Sequence, residues 1–241
     1  MGKIRLYTQQ PIKLSSEFVI KEEQAHYLCN VMKIKEKDII ACFDGINGEF
    51  DCEIISISKK QCILKAVSHN KGIEEVPDIW LLFAPIKKDN TDFIIQKSTE
   101  LGVKKIIPVL TRYTITDRVK KERYIANAIE ASEQCRRTDV PEIEDPVKLD
   151  VLLKSWDSRR TLYYMDETLR GIAVNKVFSS SSGPCAILVG PEGGFSEEEL
   201  KLLRTKDFAQ GVKLGNRILR AETAVVSALS CWQALSGDWK E

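Results

Sequence analysis

The sequence predicts an α/β protein: a unit built on a parallel sheet, preceded by a small β-barrel. Three observations carry that reading. Residues 1–72 hold short runs rich in β-branched and aromatic residues, punctuated by turn residues. Residues 68–78, SHNKGIEEVPD, lose all periodicity and carry Gly, Pro and acidic residues, which reads as a linker. Beyond them, apolar runs of strand length alternate with helix-like segments, the pattern of βαβ units. The expected domains are therefore 1–72 and 73–241.

In the first domain FVI, KDIIACF, EFDCEIISIS and QCILKAV read as strands, with DGING and SKKQ as turns. One helical piece, KEEQAHYLCNVMK, puts Ala25, Leu28, Val31 and Met32 on one face. Short strands with a single helix suggest a small barrel. In the second domain IWLLFAP is a buried strand, and NTDFIIQKSTELG a helix capped by Gly102. KKIIPVLT is the next strand. Helices follow over 120–137 and near 147–156, then the strand TLYYM and the loop SSSSG. CAILVG, SEEELKLLRT, GVKLG and AETAVVSALSCWQAL alternate strand and helix to the end.

The chain of 241 residues is long enough for a substantial core, and 43% hydrophobic with 29% charged residues is ordinary for a soluble globular protein. No apolar run approaches the roughly 20 residues of a membrane helix. MGKIRLYTQQPIKL lacks an apolar leader, and Leu6 stands where a myristoylation motif wants Ser or Thr. The seven cysteines form neither a CxxC pair nor a metal-ligand cluster, so reduced thiols in a cytoplasm and no metal are expected. A net charge of +1 leaves any nucleic-acid binding to a local basic patch.

Two strand ends carry unusual loops, LVGPEGGF (188–195) and KLGNRILRAETA (213–224). In an open α/β sheet, ligands bind beyond the carboxyl ends of strands. GPEGGFS has neither the Gly-Lys-Ser/Thr of a P-loop nor a GxGxxG pattern. Ser196 and Glu199 form a capping box, and Glu192, Glu197, Glu198 and Glu199 crowd the helix start. Such carboxylates suit the helix dipole but repel a phosphate. A neutral or cationic ligand fits better, and S-adenosyl-L-methionine, with its sulfonium charge, is one. The residues alone leave a second reading open: a tight turn before an ordinary capped helix.

LVGPEGGFSEEEL followed by LGNRILRAETA resembles the 16S ribosomal RNA uridine-N3 methyltransferase family, the ribosomal RNA small subunit methyltransferase E type, within the knotted SPOUT superfamily. APIKKDNTDFIIQKSTELGVKKIIPVLT and RYIANAIEASEQCRRTDVPEI are similar to that family too, and HYLCNVMKIKEKDIIACFDG resembles its PUA-like RNA-binding domain. The resemblance covers nearly the whole chain. It implies a deep trefoil knot in the second domain, a homodimer, and S-adenosylmethionine-dependent methylation of a uridine in 16S rRNA of the small ribosomal subunit.

By that resemblance Gly190, Pro191, Glu192, Gly193 and Gly194 form one cofactor loop, and Leu214, Gly215, Ile218, Leu219 and Arg220 the next, with Leu188 as a further wall; Met165, ending LYYM, reads either as a wall from a third strand or as a core methionine at a strand end. Arg220 is the candidate stabiliser of the uracil anion, Arg217 the second choice, and Glu222 the candidate proton acceptor. Glu222 is equally readable as half of a structural ion pair. Arg5, Lys33, Arg112 and Arg137 are candidate RNA contacts; Lys33 stands where the family has arginine, and Arg136 where it often has glycine. The run TRYTITDRVKKER (111–123) reads as a phosphate-contacting segment or a solvated charged face. Lys97 and Glu100 are spaced for a helix-surface ion pair. Two other functions compete: a related methyltransferase acting elsewhere on RNA, such as a ribose 2′-hydroxyl, and a non-catalytic RNA-binding assembly factor.

Overall fold

The structure, a computed structural model, describes residues 4–58, 60–115 and 119–240. It forms two compact units. The first holds the chain up to Glu75 together with Ser132–Val140; the second holds Val76–Ala131 and the chain from Pro141 onward. Residues 132–140 thus pack with the first unit, although the sequence places them in the second domain. Arg5 contributes to this, its guanidinium donating to the carbonyls of Ser132 (2.9 Å), Glu133 (2.8 Å) and Arg137 (2.7 Å).

The first unit is a curled five-stranded sheet. Its elements are β1 (Arg5–Tyr7), β2 (Glu17–Lys21), α1 (Glu22–His26), β3 (Ile39–Phe43), β4 (Glu49–Ile57) and β5 (Gln61–Lys71), in the sheet order β1-β3-β4-β5-β2. Opposed pairs Cys42–Phe50, Ile40–Cys52, Ile54–Leu64 and Ile20–Cys62 all point inward. They share one core with Leu6, Phe18, Ala25 and Leu28. Three register shifts between β4 and β5 bend the sheet around that core. The expected helix over 21–33 is shorter: α1 gives way to a π-helical turn, Tyr27–Val31, and Lys33 is left-handed at φ 53. Residues 68–71, expected in the linker, extend β5, because Lys71 lies opposite Glu49 and the His69 ring packs 4.7 Å from that of Phe50.

The second unit comprises β6 (Ile79–Phe83), α2 (Lys88–Glu100), β7 (Lys105–Leu110), α3 (Lys121–Cys135), β8 (Glu142–Ile143), β9 (Val147–Lys148), α4 (Leu149–Lys154), β10 (Thr161–Met165), β11 (Ile172–Ala173), α5 (Val174–Phe178), β12 (Cys185–Val189), α6 (Glu197–Arg204), β13 (Ala209–Lys213) and α7 (Ala221–Leu235); the last turn of α3 belongs to the first unit. The sheet order is β11-β13-β10-β12-β6-β7-β8, with β9 beside β7, and every pairing is parallel. Both faces are covered, so β12 (CAILV) is buried at all five positions. One face, with Leu82, Ile107, Leu162, Ala186 and Leu188, meets Leu149 and Leu153 of α4 and Leu200 and Leu203 of α6. Residues of the other parity face the opposite side. There α7 packs on β12, α2 and α5. Gly102 (φ 77) closes α2: its N–H donates to Thr99 O and that of Val103 to Ser98 O, the paired bonds of a left-handed helix terminus.

Candidate functional site

Neighbouring strands β13, β10 and β12 run parallel, so their carboxyl ends meet at one edge of the sheet. A cavity of about 430 Å³ opens there, within the range of small-ligand sites. The end of β10 supplies Met165, Asp166, Glu167 and Leu169; that of β12 supplies Val189 and the run Gly190–Gly194. Val212 and Leu214 come from the β13 end, and Arg217, Ile218, Leu219, Arg220, Ala221 and Ala224 from the entry into α7.

Of the cofactor residues expected from sequence, Met165, Gly190, Pro191, Glu192, Gly193, Gly194, Leu214, Ile218, Leu219 and Arg220 line this cavity together. Leu188 does not. Side chains alternate along a strand, and Leu188 points into the core beneath α6, leaving Val189 as the wall. Gly215 also stays outside the lining, exposed in the turn at φ 137. Asp166, Glu167, Ala221 and Ala224 were not expected. Their signal was present: an acidic pair directly after LYYM at a third strand end, and alanines three apart at a helix start.

The glycine loop is held in a defined shape. Gly194 sits at φ 69, a conformation that favours glycine, and a Cβ there would displace the Glu167 carboxylate. Glu167 Oε1 accepts the Phe195 N–H at 2.8 Å, and the Gly194 N–H donates to Pro191 O at 2.9 Å. The capping box forms as read: Ser196 Oγ accepts from the Glu199 N–H, and Glu199 Oε2 from the Ser196 N–H. The second oxygen of Glu199 accepts the Arg112 N–H at 2.8 Å, tying the loop after β7 to the glycine loop. In that loop Tyr113 packs over Gly193.

The cavity carries both charges. Asp166, Glu167 and Glu192 bring carboxylates, Arg217 and Arg220 guanidinium groups, and the remaining walls are apolar or glycine. Asp166 is 5% exposed and accepts from the Thr168 N–H and hydroxyl. Burial lifts the Tyr164 hydroxyl above its ordinary pKa, with Asp166 and Glu167 pushing the same way and Arg204 opposing. At the start of α6 the Glu198 carboxyl is held below the usual range by its own backbone N–H and by Ser196. Arg217 and Arg220 are exposed, and their guanidinium groups make no hydrogen bond or ion pair among the described residues. Glu222 lies outside the lining, and its Oε2 is buried with no hydrogen-bond partner.

Two of the four expected RNA contacts are committed elsewhere. The Arg5 side chain is 8% exposed, paired with Glu49 at 2.7 Å and stacked on Phe43 in addition to its three carbonyl bonds. The Arg137 side chain is equally buried and paired with Asp139 through two 2.9 Å bonds. Both side chains are bonded within the first unit. Lys33 and Arg112 are exposed. Of the basic run 111–123, residues 116–118 lie outside the described residues. Lys97 and Glu100 form the surface ion pair at 2.7 Å. Among the described residues no cluster of three His, Cys, Asp or Glu could hold a metal, and no helix is long and apolar enough to cross a membrane.

Comparison with known proteins matches residues 74–233 to an RNA methyltransferase domain and residues 20–67 to an RNA methyltransferase PUA domain. The ribosomal RNA small subunit methyltransferase E of Rickettsia conorii is 32% identical, over 98% of this chain and 95% of its own length. Its namesake from Bacillus subtilis is 32% identical over 92% of each chain. Among solved structures, a methyltransferase of Legionella pneumophila in complex with bound SAM superposes with a TM-score of 0.90 at 30% identity, covering 99% of this chain and all (100%) of the other. The ribosomal RNA small subunit methyltransferase E of Neisseria gonorrhoeae bound to S-adenosyl methionine gives 0.91 at 27% identity, with coverage of 99% and 100%.

Proposed function

Because this chain belongs to the RNA methyltransferase family of the ribosomal RNA small subunit methyltransferase E proteins, we propose that it is an S-adenosylmethionine-dependent methyltransferase acting on N3 of a uridine in 16S rRNA. The observation that carries the reading is the cavity where three strand ends converge, which brings together ten of the residues expected to hold the cofactor. Its chemistry fits. A sulfonium cation with an amino-acid end and a flat purine suits carboxylates, an arginine and an apolar wall, and Glu167, Glu192, Arg217, Met165, Val189 and Leu214 offer these in one space. S-adenosylmethionine supplies an electrophilic methyl group.

The uracil N3–H is a weak acid and a poor nucleophile while protonated. Arg220, at the N-cap of α7 with its guanidinium unpaired among the described residues, is the group to stabilise the developing anion at the uracil oxygens. Glu222, whose Oε2 has no donor, is the candidate to accept the proton. Arg217 orients the substrate or the cofactor carboxylate from the same loop. The reading includes a cytoplasmic homodimer with its active site near the subunit interface, and the trefoil knot. Exposed apolar side chains beside the cavity, Ile218 at 75% and Tyr113 at 50%, support a surface covered by substrate or a second copy. It also assigns RNA binding to the first unit, with Lys33 as a phosphate contact, and to Arg112 in the second.

The test is methyl transfer from labelled S-adenosylmethionine to 30S subunits, naked 16S rRNA and tRNA from cells lacking this protein, with the product nucleoside identified by mass spectrometry. N3-methyluridine in the small-subunit RNA is expected. Arg220→Ala should bind the cofactor within about tenfold of wild type and lose about 10²–10³-fold in transfer, the cost of removing one anion-stabilising donor. A ribose-methylated product would assign the related chemistry instead. Cofactor binding without transfer to any RNA would favour an assembly factor, and full activity of the variant would remove Arg220 from the mechanism.

A further inference from the structure

The second unit holds another cavity of about 410 Å³, set at the ends of β6 and β7. Strands β12, β6 and β7 are neighbours, so both cavities open on the same edge of the sheet. The Ala84 N–H bonds Val189 O at 3.0 Å, joining the two strand exits. The loop after β7 runs from one cavity to the other: Tyr113 covers Gly193 of the first, and Ile115 lines the second.

The lining has a consistent chemistry. Its one carboxylate, Asp92, is already paired with both arms of Arg123 and accepts from the Asn127 amide. Lys87, Lys88 and Lys120 remain, all exposed and without an ion pair among the described residues. Lys87 is the N-cap of α2, a position with no side-chain cap, so the unpaired N–H groups of that first turn add to the positive field. Beneath the lysines the floor is apolar, made by buried Ile86 and Tyr124. Cations over an apolar floor suit a nucleotide: the phosphate meets the lysines and the base meets the floor.

Resting on the methyltransferase reading above, we propose that this cavity is an RNA subsite that seats a nucleotide flanking the methylated one. The lysines hold its phosphodiester while the target base occupies the Arg220 side of the first cavity. The lysines position the strand and take no part in the chemistry.

The test measures binding of a labelled single-stranded RNA decamer by fluorescence anisotropy as a function of salt, and S-adenosylmethionine binding by calorimetry. Full-length wild type is compared with Lys87→Glu/Lys120→Glu and with a charge-matched control, Lys154→Glu/Lys201→Glu, on α4 and α6. The expected result is an RNA affinity at least tenfold lower for the first variant than for the control. Its log–log salt slope should be shallower by about 1.4, roughly 0.7 for each lost phosphate contact on a single strand. Its cofactor affinity should match the control. A first variant that binds RNA like the control would overturn the subsite alone. A wild type that binds no RNA would overturn the subsite together with the RNA part of the functional reading. A wild type that binds RNA but no cofactor would overturn the methyltransferase reading, and the variants would still decide the subsite.

Discussion

Arg5 is a cation whose surroundings decide its role. Its position matches a residue expected to meet RNA, yet four of its donors are spent on Glu49 and on the carbonyls of Ser132, Glu133 and Arg137. With the side chain 8% exposed and Glu49 at 14%, removing the guanidinium takes the partner from a largely buried carboxylate and a donor from each of three carbonyls. Arg5→Met should therefore destabilise the protein by about 3 kcal/mol, as expected for breaking a buried pair. Urea unfolding followed by circular dichroism reads that loss; an unchanged midpoint with weakened RNA binding would return Arg5 to the RNA surface. Arg136 makes a related point. It stands where the family often has glycine, and it still adopts the left-handed conformation, φ 67, that glycine would take without strain. The Lys71 ammonium donates to its carbonyl at 3.0 Å and helps to hold that turn.

At the level of elements, legibility follows from where the determinants lie. The strands β6, β10 and β12 and the helices α2, α6 and α7 read directly, because buried parallel strands are continuous apolar runs and helix ends carry Gly102 or the Ser196–Glu199 box. The two-residue strands β8, β9 and β11 and the one-turn α5 did not. They are too short for a period to show, and pairing with β7 and β13 creates them. The glycine loop was visible, but its clamp was not, since Glu167 is separated from Phe195 by 28 positions. Glu167 both accepts from the Phe195 N–H and occupies the space that Gly194 leaves. Glu167→Ala should therefore loosen the loop and weaken S-adenosylmethionine binding about tenfold, the equivalent of one lost hydrogen bond of about 1.4 kcal/mol. Glu167→Gln keeps an acceptor and should recover most of that loss. Calorimetric titration of both variants checks this; equal losses would mean that the charge at the cavity matters and the clamp does not.

For the whole molecule, the sheet order β11-β13-β10-β12-β6-β7-β8 is the property least available from the residues in line. The longer strand runs and their alternation with helices give the parallel sense, but the order rests on contacts between strands far apart in the chain. That order makes the cavity, because it sets the β10, β12 and β13 exits side by side although β10 and β12 are separated in sequence by β11 and α5. A ligand spanning three strand ends and the start of α7 bridges segments that lie far apart in the chain, so its binding free energy adds to the folding stability of the second unit. With no affinity for the unfolded chain, a cofactor at about 100 times its dissociation constant stabilises by about 2.7 kcal/mol. For a unit of this size that corresponds to a rise in melting temperature of roughly 5–10 °C. The rise should continue with the logarithm of cofactor concentration, by about 1.4 kcal/mol per decade above saturation. Differential scanning calorimetry across a cofactor series reads it, and a melting temperature that stays flat over the whole series would show that the converged strand ends do not form the binding site.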